Sequence, residues 1–181
     1  MKSLFFGGIH PADRKELSAS AELKLVNHPK QVSIPMSQHI GNPCTPMVAV
    51  GDYVKKGQKI GDGEGLCVPV HASVSGTVIA IEPRRHPNGK DVLSVVIEND
   101  FKDTMDTTMV AHEDYSKLSD DEIIDIIREA GIVGMGGATF ATNIKAASSM
   151  EKVQTLIANA CECEPYITAD DMLLRTYPEQ V

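Results

Sequence analysis

Between Ile34 and Glu98 every apolar run is short and every run is closed by turn residues. Met47–Val50, Val68–Val70, Thr77–Ile81 and Val92–Ile97 are separated by clusters of Gly, Pro, Asp and Asn. Gly supplies positive φ, Pro presets φ, and Asp and Asn bond their own backbone, so this punctuation is the chemistry of strands and turns. The region is therefore expected to be β structure.

Within it lies Val48-Ala-Val-Gly51-Asp52-Tyr53-Val54-Lys55-Lys56-Gly57-Gln58-Lys59-Ile60, followed by Ala72-Ser73-Val74-Ser75-Gly76-Thr77-Val78. Gly51, Gly57 and Gly76 are placed where tight turns and a sharp strand re-entry require a residue without Cβ. The pair of segments resembles the two halves of a biotinyl/lipoyl-type barrel-sandwich domain. In such carriers the hairpin between the halves presents a lysine for biotin or lipoate. Here that hairpin is Gly61-Asp-Gly-Glu-Gly-Leu66, which has no lysine. The resemblance thus implies a scaffold or docking role rather than a carrier.

A polar stretch from Asn99 to Lys117 has little periodicity and reads as an irregular connection. After it, Ser119-Asp120-Asp121-Glu122 has the capping-box pattern of a helix start. Ile123, Ile124, Ile127 and Ala130 follow at helical spacing, and Gly131 supplies the stop. A second helix is expected over Thr142–Met150, a short buried strand over Thr155–Asn159, and a third helix from Thr168–Asp171. The division expected is an arm over 1–33, a barrel-sandwich domain over 34–98, a linker over 99–117 and a second domain over 118–181. That last domain is expected to be incomplete, because its final helical pattern has barely begun at Val181.

Composition excludes several classes. A net charge of −8 over 181 residues argues against nonspecific nucleic-acid binding, which depends on neutralising phosphates. No apolar run approaches the roughly 20 residues that span a bilayer. The apolar stretch at the N-terminus is too short for a signal peptide. Cys44, Cys67, Cys161 and Cys163 include no Cys-x-x-Cys, so their spacing suggests reduced thiols rather than zinc, an iron–sulfur cluster or disulfides. His10, His39 and His71 read as turn or packing residues.

Two segments carry chemistry. Gly131-Ile-Val-Gly134-Met135-Gly136-Gly137-Ala138-Thr139-Phe140 is a loop whose small residues let backbone N–H groups converge on an anion, with a helix N-terminus behind them. Lys145 suits a phosphate or flavin, and Phe140 suits a flat ring. The loop lacks the Gly-Lys-Ser/Thr of a Walker A motif, and it follows a helix where a Rossmann loop follows a strand. A bland turn is the alternative. In Asn159-Ala-Cys-Glu162-Cys-Glu164-Pro-Tyr166, strand alternation would set Asn159, Cys161 and Cys163 opposite Glu162 and Glu164. Those carboxylates suit ribose hydroxyls or a carboxamide; a solvated loop is the alternative.

The order "GxGGAxFxTxxK" then "NAxExEP" is similar to the flavin- and NADH-binding segments of the complex I flavoprotein subunit. Gly8-Ile9-His10-Pro11, Gln38-His39-Ile40-Gly41, Pro69-Val70-His71-Ala72-Ser73 and Glu162-Cys-Glu-Pro-Tyr-Ile-Thr168 look more specifically like the RnfC family of Rnf-type electron transport complexes. The resemblance implies a mixed α+β chain: a barrel-sandwich hybrid, then the start of an α/β NADH/FMN-binding domain. It implies that Gly134, Gly136, Gly137 and Ala138 cradle FMN and the dinucleotide, that Phe140 stacks on nicotinamide, and that Lys145 contacts flavin or phosphate. By the same likeness Asn159 bonds FMN while Glu162 and Glu164 line the nucleotide site.

Further implications are hydride exchange with NAD(H), ferredoxin as an indirect partner, and other Rnf subunits at the cytoplasmic side of the membrane. The [4Fe–4S] cysteine motifs of the family would lie downstream of residue 181, and the complex would move Na⁺ or H⁺. Thr139, Ala141 and Cys161 depart from the pattern, where relatives carry Gly, Pro and Asp; a β-branched Thr139 resists positive φ. The competing reading is a docking module with a lipoyl-like fold.

Overall fold

The structure, a computed structural model, describes residues 11–108, 114–135, 139–149, 153–155 and 157–180. It divides into two compact units, His28–Val153 and a second formed by Met1–Asn27 with Gln154–Val181.

The larger unit is built on β1 (Gln31–Pro35), β2 (Thr45–Pro46), β3 (Tyr53–Val54), β4 (Lys59–Asp62), β5 (Val70–His71), β6 (Gly76–Arg85) and β7 (Asp91–Asn99). One antiparallel sheet has the order β1-β7-β6-β3 and the other β2-β4-β5. Ile34, Val54, Val78, Val95 and Ile97 from the first sheet pack with Ile60 and Val70 from the second, and Met36, Cys44, Cys67, Ala72 and Val74 from the connections complete the core. Each fully buried Val or Ile contributes about 1.5–3 kcal/mol relative to exposure. The pattern is the expected barrel-sandwich hybrid.

The predicted β region is β, with two corrections. Met47–Val50 forms no strand; Met47 and Val50 are exposed, and pairing falls on Thr45–Pro46 instead. Of Val68–Val70, Val70 alone is in a strand. A strand exists through its ladder, and the backbone hydrogen bonds of these runs are isolated ones, Met47 N–H to Ile60 O, Ala49 N–H to Asp52 Oδ2 and Val68 N–H to His39 Nε2. The sequence also hid β1, whose pairing with β7 begins at Gln31↔Glu98, ahead of Ile34.

Turn glycines behave as their positions suggested. Gly51 (φ 99°) and Gly57 (φ 86°) occupy the left-handed region. Gly76 (φ 154°) lies so close to β7 that an added Cβ would stand 1.9 Å from the Glu98 carbonyl oxygen. The hairpin over 61–66 is tied down: Asn42 donates from its backbone to Leu66 O (2.9 Å) and from its side chain to Glu64 O (3.0 Å). Past β7, the irregular connection also packs. Asp100 accepts from Ser75 Oγ (2.7 Å) and Tyr53 OH (2.8 Å), and Met105 bridges Lys56.

Helix α1 (Asp120–Glu129) starts with the predicted capping box: Glu122 N–H donates to Ser119 Oγ (3.3 Å) while Ser119 N–H donates to Glu122 Oε2 (2.7 Å). Helix α2 (Thr142–Ser149) follows within the same unit. The smaller unit holds α3 (Ala169–Thr176), with Thr168 at its N-cap position, and a 3-10 turn at Lys15–Leu17.

Gly76→Ala should destabilise the chain by more than about 3 kcal/mol, because a Cβ cannot coexist with the Glu98 carbonyl. Gly51→Ala, with the same φ sign but open space around it, should cost about 1–2 kcal/mol. Urea unfolding checks both; equal losses would mean that the β6–β7 approach is not the constraint.

Candidate functional site

The glycine loop is held by a seam between α1 and the β4–β5 edge. Arg128 Nη2 donates to Asp62 Oδ1 at 2.8 Å and reaches Gly63 O at 3.4 Å. Lys59 Nζ bonds Asp62 Oδ2 at 3.1 Å and also pairs with Glu129, which Arg128 meets from the other side. Burial opposes charge on Asp62, but the Gly63 N–H, Lys59 and Arg128 outweigh it and hold its carboxyl below the ordinary value. Glu129 is likewise held low, first by its Lys59 hydrogen bond. Burial and the nearby Lys59 ammonium lower the His71 pKa, and its ring bonds the Glu129 backbone.

At the end of α1, Gly131 (φ 70°) passes so near β5 that a Cβ would sit 2.4 Å from Pro69 O and 3.2 Å from His71 Nδ1. The chain then closes a neck. Val133 bridges Ala141 antiparallel, Gly134 N–H donates to Phe140 O (2.9 Å) and Thr142 N–H to Ile132 O (3.1 Å). Ala141 is fully buried in that neck. Ile40 N–H reaches Thr139 O (3.3 Å), which fastens the returning arm to the barrel. Thr139 adopts φ 48°, so the β-branched residue does sit in the conformation it resists. It lines an open cleft of about 720 Å³ together with Gln38, His39, His71 and His86.

Of the loop candidates, Gly136, Gly137 and Ala138 lie outside the described residues. Gly134 forms the neck, Phe140 is half-buried on the returning arm, and Lys145 is exposed on α2 with no ion pair among the described residues. Asn143 carried no signal in the sequence. Its Oδ1 is buried without a hydrogen-bond partner among the described residues. A buried acceptor left alone is costly, so a donor is expected there. The first turn of an eight-residue helix, a closed loop and a free ammonium on one short segment fit an anionic ligand such as FMN.

Asn159, Glu162 and Glu164 belong to the smaller unit. Of the buried strand expected over Thr155–Asn159, Leu156 lies outside the described residues and the others form no strand: Ile157 is 81% exposed, and no described residue of 153–165 pairs in a sheet. A strand needs a neighbour, and among the described residues this segment has none. The alternation of Asn159, Cys161 and Cys163 against the two glutamates therefore lapses. Instead Asn159 Oδ1 accepts from Cys161 N–H (2.9 Å), and Glu162 accepts from Asp170 N–H (2.8 Å) at the start of α3. Cys163 Sγ bonds Glu164 (3.2 Å), and that carboxylate raises the thiol's pKa. Lys15 Nζ meets the carbonyls of Glu164 (3.3 Å) and Ile167 (2.6 Å), which fixes the segment's backbone.

All four cysteines are free, but they are not all scattered. Cys44 Sγ lies 3.3 Å from Cys67 Sγ, and His39 stands beside both. Burial, reinforced by the Cys67 contact, pushes the Cys44 thiol up to about 12. No spacing rule reveals this group, because the β1–β2 connection supplies His39 and Cys44 while a separate loop ahead of β5 supplies Cys67.

Comparison with known proteins matches these regions. A family model described as "RnfC Barrel sandwich hybrid domain" covers residues 3–102, and one described as "Nuo51 FMN-binding domain" covers residues 127–181. The chain is 49% identical over 179 residues to the C subunit of the Na(+)-translocating ferredoxin:NAD(+) oxidoreductase complex of Acetobacterium woodii, covering 98% of this chain and 40% of that protein. It is 46% identical over 180 residues to the C subunit of the ion-translocating oxidoreductase complex of Serratia proteamaculans, covering 98% of this chain and 25% of that protein. For the like-named protein of Actinobacillus succinogenes the identity is 43% over 180 residues, 98% of this chain and 26% of that protein. Among the described residues no helix is long and apolar enough to cross a membrane.

The seam sets a pH dependence. Asp62 and Glu129 have depressed folded-state pKa values, so their stabilisation is present above the unfolded carboxylate values and lost as pH falls through the folded ones. Stability should drop as pH falls below about 4, the ordinary carboxylate range. Asp62→Asn should lower stability at pH 7 by about 1–3 kcal/mol and flatten that acid limb. Thermal unfolding across pH checks this; an unchanged limb in the variant would contradict it.

Proposed function

The chain belongs to the RnfC family, found in ion-translocating oxidoreductase complexes, and from that premise we propose that it carries the start of an FMN site in an electron-input subunit. The neck-closed loop fastened to the barrel carries this reading, since it lies within the segment that matches the FMN-binding domain. FMN, when bound, supplies hydride exchange with nicotinamide and release of the pair as single electrons.

The chain's own residues hold and orient. The cradle for the phosphate is assigned, by the family likeness, to Gly134, Gly136, Gly137 and Ala138; the Gly134 N–H is taken by Phe140 O, so that glycine closes the cradle, and Lys145 supplies the positive charge. Asn143 accepts from a ligand donor through its Oδ1, which has no partner among the described residues. Phe140 offers a flat face to nicotinamide, and stacking adds about 0.5–1.5 kcal/mol beyond burial. Asn159 bonds FMN, and Glu162 and Glu164 bind ribose or carboxamide once released from their local partners. The same family likeness supports onward transfer, in the longer subunit, to [4Fe–4S] clusters that these 181 residues would not hold, with ferredoxin as the eventual partner and Na⁺ or H⁺ movement in membrane subunits. The protein acts as a peripheral subunit on the cytoplasmic side, assembled with other Rnf subunits.

The tied-down hairpin over 61–66 supports a second role for the barrel as a docking scaffold. It has no lysine to modify and, fastened to Asn42, no freedom to swing.

In the intact subunit, Phe140→Ala and Glu164→Gln should each raise the KM for NADH several-fold while bound FMN is retained, since each loses about 0.5–1.5 kcal/mol. Lys145→Ala and Asn159→Ala should lower flavin occupancy instead. NADH oxidation with an artificial acceptor and flavin absorbance of the purified protein read the two effects. Four variants equal to wild type in both would remove the loop and the acidic segment from the nucleotide site.

A further inference from the structure

The barrel buries a set of donors that the electron-transfer reading does not use. His39, Cys44 and Cys67 are 8%, 4% and 3% exposed, and their ligating atoms all lie within 4.8 Å of one another. His39 comes from the β1–β2 connection, Cys44 from the residue before β2, and Cys67 from the loop ahead of β5. We propose that His39, Cys44 and Cys67 form a structural site for a thiophilic divalent cation of the Zn²⁺ class, which cross-links the β1–β2 connection to the loop ahead of β5 inside the barrel-sandwich domain.

Three observations carry this. The imidazole is already set for ligation: its Nδ1 lies 3.0 Å from Ile40 O, where a proton on that nitrogen bonds the carbonyl and leaves the Nε2 lone pair directed inward. Orientation of a histidine ligand by a backbone carbonyl is the usual arrangement around protein-bound metals. That lone pair now accepts Val68 N–H at 3.2 Å, a single neutral hydrogen bond that three coordinate bonds would replace.

Second, the sulfur geometry is close to what is needed. The sulfurs are 3.3 Å apart, and zinc–sulfur bonds of ~2.3 Å at a tetrahedral angle place them about 3.8 Å apart. A separation of about half an ångström more is required, and the two thiols have to release their bond to each other and those to Val68 O (3.2 and 3.8 Å).

Third, charge selects the ion. Two thiolates, a neutral imidazole and a dication sum to zero, which suits a site whose cysteines belong to the same apolar core as Met36 and Ile60. Loading releases two thiol protons to solvent as the two metal–sulfur bonds form, while Nδ1 keeps its proton. Two sulfurs and an imidazole favour Zn²⁺ over the oxygen-preferring Mg²⁺ and Ca²⁺.

The test is metal analysis of the purified protein, with Co²⁺ as the spectroscopic probe. About one Zn²⁺ per chain is expected. Co²⁺ should give thiolate-to-cobalt charge-transfer absorption in the near ultraviolet with the visible bands of a tetrahedral ion. Cys44→Ser and Cys67→Ser should each abolish the charge-transfer band, and His39→Gln should shift the visible bands. Cys161→Ser/Cys163→Ser should change neither. If the buried-site variants fail to fold, wild type and the Cys161/Cys163 variant still decide the matter. The inference is overturned by a metal-free protein with a featureless Co²⁺ spectrum, by a charge-transfer band that disappears with Cys161 and Cys163, or by isolation of a Cys44–Cys67 disulfide.

Discussion

The contact that most of the larger unit's functional geometry depends on is the one between Arg128 on α1 and Asp62 on β4. Without it, a helix with no fully buried residue would have little to hold it against the barrel. The pair is partly buried and shared with Lys59 and Glu129, so it forms a network rather than a lone surface bridge, which on its own would contribute little. Gly131 then sets the distance: its missing side chain allows the helix end to approach the Pro69 carbonyl. From that fixed point the chain turns into the neck of the glycine loop. The charge network and the absent Cβ together decide where the loop begins.

This geometry gives the barrel-sandwich domain a purpose that its likeness to carrier domains does not. The hairpin that in a carrier would offer a lysine here supplies Asp62 and the Gly63 carbonyl to Arg128. It serves as an anchoring edge for α1 and the glycine loop that follows it. The opposite arm of the loop returns through Thr139 to Ile40, so both strands of the neck touch the barrel.

Much of this is legible in the sequence, and the failures share a cause. The capping box at Ser119, the glycine stop at Gly131 and the turn glycines are local signals, decided by residues a few positions apart, and each appears where the sequence places it. Thr155–Asn159 misleads because an apolar run shows hydrophobicity but not whether a partner strand is present. Met47–Val50 fails for the same reason. The Asp62–Arg128 pair and the approach of Cys67 to His39 and Cys44 join segments far apart in sequence, and no periodicity encodes them. Asn143 reads as an ordinary helix residue, and only the fold shows its oxygen buried and unpartnered among the described residues.

The central claim is that the loop from Ile132 to Thr142 and the first turn of α2 bind the flavin while the barrel holds them in place. Hydrogen–deuterium exchange on the intact subunit, with FMN removed and then restored, tests it directly. The account predicts that FMN slows exchange in peptides spanning residues 132–145, while β6 and β7 exchange at the same slow rate in both states. Flavin binding that protects other segments and leaves 132–145 unchanged would contradict it.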